Sequence, residues 1–231
     1  MNQVTHQDRS SLDNPVWAAL TTRQTALGCA TSTAARYFPD IAPFAGVAHT
    51  ACDALLELAT LVVPGGYALI LNVEPLPPME GLRAEHRFLI RQMVDEHSPS
   101  SGTGHDVRRL GASDASDMLE LARATQPGPF GARTHEMGNY IGIRDNGRLV
   151  AMAGERMRLD GFTEISAVCV EEGYRGRGFA AHLMNALRRE MRERGETPFL
   201  HVRDDNASAI GLYQRLGFET RKVFHLYRVA R

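Results

Sequence analysis

Three cysteines in 231 residues, Cys29, Cys52 and Cys169, leave no C-x-x-C pair. That excludes a disulfide framework, and an odd count without a pattern points to reduced, buried thiols in a cytoplasm. No H-x₃-H pair exists, so no metal site is expected. No apolar run is long enough to span a membrane, and Met1 to Ser10 is polar with no apolar leader core. The formal net charge is -1, which offers neither nucleic acid nor a membrane surface a reason to bind. What remains is 43% hydrophobic and 23% charged, a globular composition, long enough for one large domain or two small ones.

What the chain does carry is a basic, glycine-rich turn between a strand and a helix. Val168-Cys169-Val170 closes an apolar stretch, and Glu171-Glu172-Gly173-Tyr174-Arg175-Gly176-Arg177-Gly178-Phe179-Ala180 follows. Ala180, Leu183, Met184, Leu187 and Met191 recur at helical spacing, with Arg188, Arg189, Arg192 and Glu193 on the other face, so a helix begins inside the turn. Gly176 and Gly178 allow close backbone approach, unpaired N–H groups and the positive helix end converge, and Arg175 and Arg177 add charge. Such a spot binds phosphate. Phe179-Ala180 stands where a P-loop needs Lys-Ser/Thr, and Ala181 stands where the dinucleotide fingerprint needs its third glycine. Taken alone, the same turn also fits a glycine cap on an amphipathic helix.

The next forty or so residues narrow the choice. Gly195 suits a helix C-terminus, Pro198-Phe199-Leu200-His201-Val202 predicts a strand, and Asp204-Asp205-Asn206 offers N-cap residues. Ala209, Leu212, Tyr213 and Leu216 then share a helix face that ends at Gly217-Phe218. Arg175-x-x-Gly178-x-Ala180 resembles the acetyl-coenzyme A pyrophosphate loop of the GNAT superfamily of N-acetyltransferases. Asn206, Ala209, Leu212-Tyr213 and Leu216-Gly217-Phe218 resemble its next motif, in the correct order and separation. In detail residues 106–231 look like the C-terminal domain of glycine N-acyltransferase-like proteins.

This resemblance implies an α/β (α+β) GNAT fold, a mixed, mostly antiparallel central sheet flanked by helices. It implies acetyl-CoA as donor and coenzyme A as product. Arg175, Gly176, Arg177, Gly178, Phe179 and Ala180 would hold the pyrophosphate, Asn206 the coenzyme A arm, and the backbone of Val168, Cys169 and Val170 the pantetheine. Tyr213 matches the tyrosine that protonates the departing thiolate, although a tyrosine on an apolar helix face also suits a core. Asn206 also suits plain helix capping.

Chemistry sets one further demand. An alkylamine with pKa ~10.4 is neutral in about one molecule per thousand near pH 7.4, so deprotonation costs roughly 4 kcal/mol. A positioned base supplies much of this. Glu164 resembles the strand glutamate that serves as base in histone-type GNAT members, and a carboxylate between apolar neighbours should have a raised pKa. Its alternative is a structural ion pair. Glu155, Glu136, His135 and a water chain are rivals. Cys169 as a nucleophile has no supporting Cys/His signature.

Before residue 97 there is no motif. Asp13-Asn14-Pro15 starts a helix, Ala51 to Val62 carries a helical stripe, Tyr67 to Leu71 reads as a buried strand, and Phe88-Leu89-Ile90 suggests another. The expected division is an N-terminal α/β region over 1–96, a small polar linker over 97–105 and the GNAT-like domain over 106–231. By the resemblance, the first region would be a degenerate GNAT-like half that covers the acceptor side. Within the second, Asp145-Asn146-Gly147 predicts a tight hairpin between strands at 139–144 and 149–154. The function expected is acetyl transfer to a primary amine of a small molecule or amino acid, in a cytoplasmic monomer or homodimer. A longer acyl donor and a non-catalytic acyl-CoA sensor are the alternatives.

Overall fold

The computed structural model describes residues 8–97 and 106–231. Of the expected linker, all but His97 lies outside the described residues, as do the first seven residues of the polar N-terminus. Helix α1 (Pro15–Thr21) opens the chain, with Pro15 in the first helical turn, where a missing N–H costs nothing. Three short strands follow, β1 (Gly28–Ala30), β2 (Ala34–Tyr37) and β3 (Phe44–Val47), then α2 (Cys52–Leu61), β4 (Tyr67–Asn72) and β5 (Arg83–Asp95). After the gap come β6 (Arg108–Leu110), α3 (Ala115–Thr125), β7 (Tyr140–Asp145), β8 (Arg148–Leu159) and β9 (Phe162–Val170). Helix α4 (Phe179–Glu193), β10 (Thr197–Arg203), α5 (Ala207–Arg215) and β11 (Phe218–Ala230) complete it.

The eleven strands of the described residues join one sheet in the order β1-β2-β3-β4-β11-β5-β10-β9-β8-β7-β6. Among the described pairings only β3–β4 and β9–β10 are parallel; the others are antiparallel. The order β-β-β-α-β of residues 28–72 recurs at 140–203, and each time the helix joins the two parallel strands. The closing strands then cross over. β5 pairs with β10, β11 pairs with β4, and the two pair with each other in the middle. Residues 106–231 therefore do not complete their own sheet, because β5 lies between β10 and β11.

The two sheet faces carry different cores. On one face α1 packs on Tyr37, Phe44, Val94, Phe162, Phe199, Phe224 and Leu226. On the other, α4 and α5 pack through Leu183, Leu187, Met191 and Ile210 on Ile165, Leu200, Val202 and Phe218. Alternation along β9 and β10 thus sends Glu164 and His201 to the α1 face.

Two expectations need correction. Arg188 does not sit on a solvated helix face. It is 1% exposed and donates to both oxygens of the fully buried Asp95 of β5, at 2.9 and 2.7 Å. Helix α4 thereby grips the exchanged strand, which periodicity within α4 cannot reveal. Cys29 and Cys52 are exposed, and only Cys169 is buried. Beyond Phe218, where the sequence reading places no element, β11 runs for 13 residues. Its register shifts between Thr220 and Lys222 and again between Leu226 and Tyr227, which break the two-residue alternation.

Candidate active site

The parallel strands β9 and β10 pair over three positions only, Phe162 with Thr197, Thr163 with Pro198 and Glu164 with Phe199. Beyond them β9 keeps its partner β8 and β10 keeps β5, so the two diverge. The edge of β9 from Ile165 to Val170 faces a V-shaped opening with backbone N–H and C=O groups that no strand satisfies. A ligand with amide groups can pair there. Within this edge Ala167 has φ 51°, a left-handed conformation rare for alanine. Four residues of β9 (Ser166 to Cys169) here span three of β8 (Gly154 to Met152), which makes the distortion a bulge. Val168 and Val170 pack toward α4, and Cys169 turns to the α3 side among Met118, Leu121 and Ala122. Burial pushes the Cys169 thiol up to about 11, too high for a thiolate nucleophile near neutrality.

The glycine turn sits at the mouth of this opening. Gly176 and Gly178 both lie in the left-handed region, at φ 77° and 79°, and a Cβ at either would meet no atom within 4 Å. The glycines therefore serve backbone conformation and an open approach, not packing. Gly178 is the N-cap of α4, whose first internal bond runs from the His182 N–H to the Gly178 carbonyl at 3.0 Å. The N–H groups of Ala180 and Ala181 precede that bond and project from the helix end. The Arg177 guanidinium lies 4.9 Å from the Tyr174 ring centroid, and Tyr174 stacks on Phe179. The Arg175 Nε–H reaches the Val170 carbonyl at 3.4 Å. A cavity of about 320 Å³ adjoins the turn, lined by Asp145, Tyr174, Arg177 and Phe179 among others. The N–H groups of the turn with Arg175 and Arg177 fit an anionic, phosphate-bearing ligand, whereas Asp106 and Asp145, which also line the cavity, do not.

Helix α5 flanks the same opening. The exposed Asn206 side chain caps it, accepting from the Ala209 N–H at 3.1 Å. Tyr213 lies two turns further along, packed edge-on against Phe218 at 6.3 Å. Burial pushes its hydroxyl up to about 12, so it stays protonated throughout the neutral range.

This geometry has relatives. The family model described as FR47-like protein matches residues 140–229. A crystal structure of a putative GNAT-family acetyltransferase from Novosphingobium aromaticivorans is 37% identical, with 95% of this chain and 98% of that one covered and a TM-score of 0.88. The N-alpha-acetyltransferase RimI of Mycobacterium tuberculosis is 35% identical over 126 residues, 49% of this chain and 77% of the relative. The chain belongs to the GNAT family of acetyltransferases. The [ribosomal protein bS18]-alanine N-acetyltransferase of Escherichia coli is 34% identical over 86 residues, 37% of this chain and 57% of its own length. In this GNAT acetyltransferase the mixed, mostly antiparallel sheet expected from the motifs is present.

The raised carboxyl expected of Glu164 is absent. Its side chain is fully buried and its pKa is lowered to about 2. Burial alone would raise it, but the charge and hydrogen bonds of Arg156, and then the hydrogen bond of His201, outweigh that cost. The Arg156 guanidinium donates to both oxygens at 2.7 and 2.5 Å, and His201 Nδ1 lies 2.7 Å from Oε1. The Gln92 amide N–H faces His201 Nε2 at 3.2 Å, which leaves the ring proton on Nδ1, directed at Glu164. A carboxylate held this way is an ion-pair anchor and a poor base. Glu155 is likewise fully buried, against Arg194 at 2.7 Å, and Glu136 pairs with Arg133 at 2.7 Å. His135 Nδ1 is buried without a hydrogen-bond partner.

The sequence reading missed Arg156 and His201 as Glu164's partners, and Gln92 as the partner of His201. The signal was present in part: Arg156 alternates with apolar residues in a strand, where an arginine needs an acid. It also missed how the N-terminal region meets the site. Gln24 donates to the carbonyls of Met137 and Arg156 at 2.8 and 2.7 Å and accepts from the Tyr37 hydroxyl at 2.6 Å.

Proposed function

We propose that this chain uses acetyl-CoA to acetylate a primary amine of a small molecule or amino acid, by direct attack within a ternary complex. The observation that carries the choice of acceptor is the closure of the α1 face. The loop 126–139 is tied to the N-terminal region: the Arg133 N–H donates to the Asp40 carbonyl at 3.0 Å and the Thr134 hydroxyl to the Ile41 carbonyl at 2.5 Å. Gly131 lies so close to the Asp40 carbonyl that a Cβ there would approach it to 2.6 Å. That side is roofed, which suits a compact amine better than an extended polypeptide. The division into a degenerate N-terminal half and a C-terminal GNAT domain belongs to the same reading, supported by the repeated element order, although the two halves exchange their closing strands β5 and β11.

The donor supplies an activated acetyl thioester. The turn 175–180 holds its phosphates through N–H groups and arginines, and the β9 edge at Val168, Cys169 and Val170 pairs with its amides. Asn206 borders this arm while its side chain caps α5. Because Glu164, Glu155 and Glu136 are all paired to arginines, water takes the proton from the ammonium form. The C–N bond then forms as the C–S bond breaks, the Tyr213 hydroxyl donates a hydrogen bond to the developing thiolate, and the proton shed by the acylated nitrogen passes through water to that sulfur or to solvent. Gly178→Glu is expected to weaken coenzyme A binding by tenfold or more, about 1.4 kcal/mol, through a carboxylate at the phosphate position and a strained φ. Calorimetry that shows unchanged affinity in the folded variant removes the turn from the donor site.

Thiol release from acetyl-CoA across a panel of small amines, free amino acids and peptides beginning with alanine tests the whole. Turnover of small amines supports it. Turnover of the peptides alone replaces it with N-terminal acetylation of proteins, the activity that two relatives' names describe. Turnover with longer acyl donors only would favour glycine N-acyltransferase-like chemistry. Donor binding with no turnover of any amine makes the chain a sensor.

A further inference from the structure

Tyr140 begins β7, directly across the strand pair from Gly154, which in turn pairs with Ser166 of β9 beside the bulge. A Cβ at Gly154 would lie 2.3 Å from two carbons of the Tyr140 ring. Glycine there lets the ring lie flat across β8, so that its hydroxyl reaches toward β9. Arg156, Glu164, Cys169 and Glu155 are all within electrostatic reach of it. Those charges are already matched, Arg156 by Glu164 and Glu155 by Arg194. The Tyr140 side chain is 1% exposed, and its hydroxyl is buried with no hydrogen-bond partner among the described residues. An unpaired buried hydroxyl is a cost that folding alone does not explain. Arg36 and Arg158 leave one N–H each unpaired, but their other N–H groups have partners.

The position matters because a donor lodged on one side of the sheet leaves its thioester carbon open to an amine arriving from the other. The glycine turn, α4 and α5 occupy one face. Tyr140, Ser166 and Glu164 lie on the other, at the point where β9 leaves β10. Phe130, from the loop tied to Asp40 and Ile41, packs edge-on over the Tyr140 ring at 5.8 Å and closes that side.

We propose that the Tyr140 hydroxyl is the acceptor-binding group: it accepts a hydrogen bond from the incoming primary amine and aims the nitrogen lone pair at the thioester. This rests on the small-amine reading above. Because the surrounding charges are matched, the subsite selects a neutral or singly charged amine and has no spare charge for an acceptor's carboxylate or phosphate. Phe130 covers its carbon chain.

The test is Tyr140→Phe, assayed with the primary amine that the wild-type chain turns over best in the panel. The expected result is a rise of about tenfold or more in KM for the amine, with KM for acetyl-CoA within about twofold of wild type. The melting temperature should be unchanged or higher, because the lost hydroxyl had no partner. Phe130→Ala should widen the range of accepted amines while the acetyl-CoA KM holds. An amine KM equal to wild type in Tyr140→Phe overturns the inference alone. So does a clear fall in melting temperature with equal KM loss for both substrates, which marks a structural hydroxyl. Failure of the wild-type chain to turn over any small amine overturns the small-amine reading, and this inference with it.

Discussion

Glu164→Gln is expected to lower the unfolding free energy by about 3–5 kcal/mol at neutral pH, the usual effect of removing one partner from a buried ion pair. Glutamine keeps the shape, but its amide N–H₂ would face donors. Arg156 presents two N–H groups at 2.7 and 2.5 Å and His201 a third at 2.7 Å, and the remaining arginine charge stays buried. The pH dependence carries the signature. The carboxyl titrates at about 2 in the fold against an ordinary 4.5. Folding therefore binds the deprotonated form more tightly, so the stabilisation is full above the ordinary value and is lost as pH falls toward 2. The depression corresponds to roughly 3 kcal/mol. Urea unfolding at pH 7 and near pH 3 should show the gap between wild type and variant narrowing at the lower pH. A gap under 1 kcal/mol at pH 7, or one that does not change with pH, would show that the pair is not coupled as described. The acidic limb of kcat/KM should not move to any Glu164 titration, since that lies near 2.

This residue also shows where sequence reading stops. Glu164 was legible as a strand glutamate beside the motif, but its environment was not, because Arg156, Gln92 and His201 come from three other strand positions. Local signals carried far where the chain is locally determined. The apolar stripe from Ala180 to Met191 predicted α4, the cap at Asn206 predicted α5, and Asn146-Gly147 predicted the β7–β8 turn, with both residues in the left-handed region. The exchange of β5 and β11 was illegible for a physical reason. Neither strand is specified by its neighbours in sequence, and each is satisfied only by a strand more than a hundred residues away. Phe88-Leu89-Ile90 suggested the middle of β5, but its 13-residue extent follows from partners on both sides. Arg188 belongs to the same class. Helical periodicity assigns it to the polar face, whereas Asp95 of the exchanged strand draws it into the core. The chain holds 26 basic residues, and Lys222 is the sole lysine among them. Planar guanidinium groups suit this fold, because buried carboxylates such as Asp95 and Glu164 are each met by an arginine with two N–H groups.

Tyr213→Phe is expected to reduce kcat by roughly a hundredfold or more, within the ~10²–10⁴ range of acid–base catalysis, while coenzyme A affinity stays within about twofold. The ring's contact with Phe218 survives the change, so little stability is lost. What disappears is a hydroxyl held at about 12 by burial, beside the opening between β9 and β10. A thiol resembling a free cysteine ionises near ~8.5, so complete proton transfer from this tyrosine to a free thiolate is uphill by several kcal/mol. In the proposed mechanism the hydroxyl would therefore act earlier, as a hydrogen-bond donor to sulfur while the C–S bond stretches and charge builds there. Such a donor in a dry site contributes on the order of 10²–10³ in rate. The two roles differ in pH behaviour. A donor that ionises only near 12 leaves no descending limb in kcat below about pH 10, and the phenylalanine variant should lower the whole profile without changing its shape. Leaving-group dependence supplies the second check. A donor ester with a more acidic thiol needs less help, so the variant's deficit should shrink with it. Turnover within about threefold of wild type would make Tyr213 a packing residue of α5, and an equal loss with every leaving group would place its role away from sulfur.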